Sequence, residues 1–210
     1  MATQPAVILD LDGTLVDSVY VHVICWDEAF RARGYEVPMW RIHAGIGMGG
    51  ERLVPWLLGE HTDDVTEVSD DHIRRFLERA DDLRPTTGAH ALLHDLSVRE
   101  VPFVVATSAG AEARKALLEA LGRPDLDTTD AGQVPASKPA PHLLHEAAAQ
   151  LGESAERATL VGDSPWDAEA ARRIGVRTIA VRCGGFGDAE LMRAGALDVV
   201  DHPGALVGRL

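Results

Sequence analysis

Apolar and polar positions along the chain fall into two rhythms. From about Thr86 onward, short apolar runs alternate with amphipathic stretches. The short apolar runs at 102–106, 158–161, 176–181 and 197–200 predict buried strands. Residues 88–98, 111–121, 141–151 and 165–174 carry helix-forming composition and apolar residues at helical spacing. Gly122 and Gly152 close two of these helices, and Ser164 followed by Pro165 predicts an N-cap and a first-turn proline for another. One more apolar run, Val7-Ile8-Leu9, precedes Asp10-Leu11-Asp12-Gly13-Thr14 and reads as a first strand. Strands alternating with helices predict a parallel sheet with crossover helices.

The stretch 18–83 departs from this alternation and carries no strand pattern. Residues 19–33 predict one helix ended by Gly34, and 51–58 and 70–83 predict two more. Trp26 and Phe30, one helical turn apart, are expected in a local core. A glycine-rich stretch, Gly45-Ile46-Gly47-Met48-Gly49-Gly50, lies between the predicted helices. The expected fold is α/β: a Rossmann-like parallel sheet formed by 1–17 and 84–210, with a small all-helical cap domain, 18–83, inserted after the first strand.

Composition narrows the choice of partners. Among the 210 residues, 20 Lys and Arg face 33 Asp and Glu, a net charge of −13 with no basic cluster. Nucleic acid and anionic membrane surfaces are therefore poor partners. No apolar run approaches the ~20 residues that a membrane helix needs, and the N-terminus lacks the basic, apolar, small-residue order of a secretory signal. Cys25 and Cys183 stand far apart and offer neither zinc spacing nor a disulfide framework, so a reduced, cytoplasmic setting is expected. A monomer and a homodimer are both compatible with the chain. His90 with His94, and His142 with His145, lie one helical turn apart. No metal-site pattern accompanies them, and packing or solvated roles are expected.

The chemistry-bearing residues stand where strands end. Side chains two apart on a strand share a face, so Asp10 and Asp12 are expected to reach one small volume. Two carboxylates that close repel unless a cation or proton lies between them. Thr107-Ser108-Ala109-Gly110 ends the strand at 102–106 with two hydroxyls, just before a helix whose N-terminus suits an anion. Lys138 is held by Pro139 in an extended loop, where its ammonium could neutralise phosphate. Gly162-Asp163-Ser164-Pro165-Trp166-Asp167 ends the strand at 158–161 with one carboxylate and places a second four residues on. Ligands at the C-terminal ends of parallel strands are the expected placement.

This order (Asp-x-Asp-Gly-Thr, then Thr-Ser after an apolar strand, then Lys-Pro, then Gly-Asp-x-x-x-Asp) resembles the haloacid dehalogenase superfamily. Within it, the chain is most similar to the phosphoglycolate phosphatase and β-phosphoglucomutase branch, which carries a helical cap after the first motif. The resemblance implies that Asp10 is a nucleophile that forms an aspartyl-phosphate and that Asp12 is the acid and base. It implies Mg²⁺ held by Asp10, the backbone carbonyl of Asp12 and Asp163, with Asp167 supporting Asp163 or Lys138 from behind. Thr107, Ser108 and Lys138 would hold the phosphoryl group. In the cap, His22 would stand near the entrance, and the glycine-rich stretch, Gly49 included, would meet the substrate with Arg52 beside it. The implied activity is hydrolysis of a small phosphomonoester, phosphoglycolate-like or a sugar phosphate.

Three other functions fit these motifs less well. A dehalogenase would not need Asp12 or the Asp163 motif. A β-phosphoglucomutase-like mutase usually needs a basic residue in the cap loop, and Gly50 stands near the place where one would align. A non-catalytic binding module would have no use for clustered acids that repel one another.

Overall fold

The computed structural model describes residues 6–59, 62–129, 142–152 and 157–210. The chain starts with β1 (Val7–Asp10), followed by a short β2 (Val16–Asp17). Four helices come next: α1 (Val19–Ala32), α2 (Met39–Gly45), α3 (Gly50–Leu58) and α4 (Val65–Glu78). β3 (Arg84–Pro85) then pairs antiparallel with β2, so both crossings between sheet and helical insert run side by side. The remainder alternates as α5 (Ala89–Val98), β4 (Phe103–Ala106), α6 (Ala111–Ala120), α7 (His142–Gln150), β5 (Thr159–Gly162), α8 (Pro165–Arg173), β6 (Arg177–Val181), α9 (Asp188–Ala194) and β7 (Asp198–Val200). The five-stranded sheet has the order β4-β1-β5-β6-β7 with every pairing parallel, an α/β fold of the kind the alternation predicts.

β1 and β5 are buried at every position, as expected for central strands of a parallel sheet covered on both faces. On one face Leu9 and Val161 pack with Leu92, Leu96 and Leu117. On the other, Ile8, Val104 and Leu160 pack with Leu144 and Ala171. The insert has its own core, in which Val23, Ile42, Leu53 and Val68 surround Trp26 and Phe30. The rings of Trp26 and Phe30 stack at 5.7 Å between centroids. Register aligns Asp10 with Ala106 and Leu9 with Val161, which brings the C-terminal ends of β4, β1 and β5 together.

The sequence reading needs adjustment in the insert. The helix expected at 70–83 is α4, which begins and ends earlier, and a 3-10 turn, Ala80–Asp82, follows it. Its inward positions are Val68, His72 and Phe76, so a histidine interrupts the apolar stripe that the periodicity search relies on. α2 and α9 were not anticipated. Each is short and buries only two residues, too few to make a periodic signal. The two ends of the glycine-rich stretch belong to α2 and α3, which leaves residues 46–49 as the loop. Both cysteines are free, and burial pushes each thiol up to about 11, so neither is a thiolate at neutral pH.

Gly88 shows how the C-terminal segment is fixed to the sheet. Its φ is 77°, and a Cβ there would overlap the backbone of Gly204. Gly208 has a similar φ of 73° with nothing near its Cβ position. Gly208→Ala is expected to cost about 1 kcal/mol through backbone conformation alone. Gly88→Ala adds the overlap and is expected to cost about 2–3 kcal/mol or more. Urea unfolding of both variants tests this; equal midpoints would contradict the close approach of residues 88 and 204.

Candidate active site

The aligned strand ends gather three acids. Asp10 is the last residue of β1, Asp163 directly follows β5, and Asp167 lies in the first turn of α8. All three are buried, and one carboxylate oxygen from each lies within 4.8 Å of the other two. The Thr14 hydroxyl donates to Asp163 Oδ1 at 3.0 Å. The Ser164 hydroxyl and backbone N–H donate to Asp167 Oδ2 at 2.6 and 3.1 Å, and Asp167 N–H donates back to Ser164 Oγ, a capping box at the start of α8. Gly13 and Gly184 flank Asp163, and a Cβ on either would overlap its carboxylate. The packing thus requires glycine at both positions beside the acid. An all-oxygen donor set of buried carboxylates fits a hard divalent cation such as Mg²⁺.

The membership of this cluster differs from the set expected from sequence. Asp167, expected only as support, joins Asp10 and Asp163. Asp12 does not lie on the strand with Asp10, because β1 ends at Asp10 and the chain turns there. The Asp12 carboxylate accepts from Ser18 Oγ at 2.8 Å and lies 2.9 Å from His22 Nε2. Asp12 is therefore not on a strand face shared with Asp10, although both residues line one pocket. Only the backbone carbonyl of Asp12 remains as its candidate metal donor.

His22 belongs to a longer chain of contacts. Its Nδ1 lies 3.0 Å from Nε2 of His72, so one N–H bridges the two rings. Burial, and secondarily the neighbouring His22, hold His72 well below the usual histidine range, so His72 is neutral. The His72 ring stacks on Trp26 at 3.9 Å, and the His22 ring stacks on Phe76 at 4.0 Å. His72 was missed by sequence reasoning. The available signal was a polar residue at an inward position of an amphipathic helix, between Val68 and Phe76.

A pocket of about 150 Å³ lies between sheet and insert, with Asp10, Asp12, His22, Gly49, Ser108 and Asp163 among its lining. Thr107 follows β4, is buried, and accepts the N–H of Ala109 on its hydroxyl at 3.1 Å. Arg52, in the first turn of α3, is not part of the pocket wall. Lys138 lies outside the described residues. The insert is seated on the sheet beyond the pocket as well: Trp166 Nε1 donates to the Ala44 carbonyl at 3.2 Å, and His43 Nε2 lies 2.8 Å from the Gly184 carbonyl.

Residues 5–175 match the family model of the haloacid dehalogenase-like hydrolases. The chain belongs to that family. A phosphoglycolate phosphatase from Rhodospirillum rubrum is 31% identical over 210 residues, covering 93% of this chain and 86% of its own. An N-acetylmuramic acid 6-phosphate phosphatase from Pseudomonas aeruginosa is 29% identical, covering 96% and 92%. Among solved structures, a hydrolase from Pseudomonas syringae superposes with a TM-score of 0.94 at 35% identity, covering 98% of this chain and 96% of that one. A β-phosphoglucomutase from Clostridium difficile shares the fold, with a TM-score of 0.82 at 19% identity and coverage of 97% and 93%. Among the described residues, no helix of this hydrolase is long and apolar enough to cross a membrane.

The neutral, buried His72 has a consequence for stability. In the unfolded chain its imidazole titrates near 6.5, and in the fold well below that. The unfolded state therefore takes up a proton that the folded state refuses, and stability present above about pH 6.5 is lost as pH falls. His72→Gln keeps a polar group facing His22 without the titration. Its unfolding free energy is expected to fall less steeply than that of the wild type between about pH 7 and pH 5. Equal slopes in denaturant titrations would contradict a neutral His72.

Proposed function

We propose that this hydrolase is a Mg²⁺-dependent phosphatase acting on a small phosphomonoester through an aspartyl-phosphate. The observation that carries the reading is the buried trio Asp10, Asp163 and Asp167, with Asp12 held apart from it yet facing the same pocket. The phosphatase names of its relatives support the reaction class. Asp10, Asp163, Asp167 and the backbone carbonyl of Asp12 are the groups that would hold the cation. When bound, Mg²⁺ would offset the charge of the carboxylates and of the phosphate oxygens.

In this reading, an Asp10 carboxylate oxygen attacks phosphorus while the bond to the substrate alcohol breaks. Asp12 enters protonated and passes that proton to the departing oxygen. It then takes a proton from water, whose oxygen attacks phosphorus and releases inorganic phosphate and free Asp10. Ser18 and His22 both address Oδ1 of Asp12, which fixes the rotation of the carboxyl group while the proton moves. Thr107, Ser108 and Lys138 hold the phosphoryl oxygens, where positioning and charge neutralisation supply most of the catalysis. Residues 18–83 act as the cap that closes over 1–17 and 84–210, excluding water from the pocket. A mutase would have to hold a second phosphate against the cap. Among the described residues the pocket wall carries no Lys or Arg for it, which favours hydrolysis.

Purified protein is expected to hydrolyse a nitrophenyl phosphate in Mg²⁺ and to stop when EDTA removes the metal. Asp10→Asn should lower turnover by about a thousandfold or more, with its circular dichroism spectrum unchanged. A variant that kept near-wild-type turnover would remove Asp10 as the nucleophile.

A further inference from the structure

We infer that the substrate is the phosphate ester of an alcohol that carries no second charge and lies with its carbon skeleton against the cap wall; this rests on the phosphatase reading. Above Asp10, the pocket is walled by the side chains of Trp26, Ile46, Met48 and Ile73 from the insert and Ala109 and Ala113 from the sheet domain. The polar side chains in the cap wall have partners already. Ser69 donates to the Val65 carbonyl at 2.7 Å, His22 bridges Asp12 and His72, and His72 is neutral. Among the described residues no Lys or Arg lines this wall, so a second anionic group buried there would lose its hydration without gaining a cation from it, which is strongly unfavourable.

The cap is not short of arginines, but they are engaged elsewhere. Arg74 pairs with Asp71 and Glu78, Arg75 with Asp71 and Glu28, Arg79 with Glu28, and Arg31 with Asp27. Arg33, Arg41 and Arg52 do not line the pocket. The N-terminus of α3 reaches the pocket through Gly49 and Gly50, but Glu51 in its first turn already provides the negative charge that a helix start attracts. Lys138, outside the described residues, is committed to the phosphate in the proposed mechanism. Phosphoglycolate, the compound named for the Rhodospirillum rubrum relative, carries such a carboxylate and is a poor fit to this wall.

The test compares phosphoglycolate with hydroxyethyl phosphate, which differs in having CH2OH where the former has a carboxylate. Steady-state kcat/KM is measured for both in Mg²⁺, with a nitrophenyl phosphate as the general phosphatase readout. Hydroxyethyl phosphate is expected to be preferred by about tenfold or more, the worth of one unpaired charge in a partly closed site. Met48→Arg, which puts a cation into the wall, should move the ratio toward phosphoglycolate by about tenfold. A wild-type preference for phosphoglycolate overturns the inference and leaves the phosphatase reading standing. An unchanged ratio in the variant overturns the assignment of the Met48 wall to the leaving group. No turnover of any of the three esters overturns the phosphatase reading and the inference with it.

Discussion

Three buried carboxylates within 4.8 Å of one another are the constraint around which the sheet domain is organised. At that spacing each ionised pair repels by about 3 kcal/mol, even with an effective dielectric constant near 20. Asp10 is held by β1, Asp163 by the end of β5, and Asp167 by the first turn of α8, so the repulsion is spread over elements fixed by the apolar core. Thr14 and Ser164 each donate to one member, and Gly13 and Gly184 give the Asp163 carboxylate space. A cation bound here would offset these charges and so stabilise the fold through the same contacts that the proposed chemistry uses.

The sheet was legible because its strands are buried on both faces. Such strands appear as short apolar runs, and parallel connection follows from the intervening helices. Asp10 and Asp163 could be read for the same reason: each stands where a run stops, and strand ends of this kind come together in any sheet with β1 beside β5. The insert was harder. α2 exposes Met39 and Trp40, so its hydrophobic pattern misreports which side is inward. α4 puts His72 on its buried stripe, and a polar letter there hides both the helix register and the histidine pair. Asp12 was misplaced on the strand face because period-two spacing holds only while the strand continues, and β1 stops one residue too soon. Asp167 was expected to support Asp163 or Lys138 from behind; that its carboxylate also caps α8 and lies with those of Asp10 and Asp163 depends on how α8 leaves β5.

The two halves of the molecule divide the reaction unevenly. Every carboxylate of the trio lies outside the insert, yet Asp12, the acid and base of the proposed reaction, is addressed by His22 of α1, and His22 in turn contacts His72 and Phe76 of α4. The contact that His22 makes with Asp12 thus joins the insert to the sheet, as do the bonds of Trp166 and the Gly184 carbonyl to the insert. A cap that served only to select substrates would not need this link. In the proposed mechanism, connecting cap position to the orientation of Asp12 would give a means of discrimination, because a molecule that held the cap open would meet Asp10 without an oriented acid partner. The apolar wall and the histidine pair are then two outcomes of one arrangement, because the α1 and α4 faces that stack Trp26 on His72 also present the surface on which the leaving alcohol would rest.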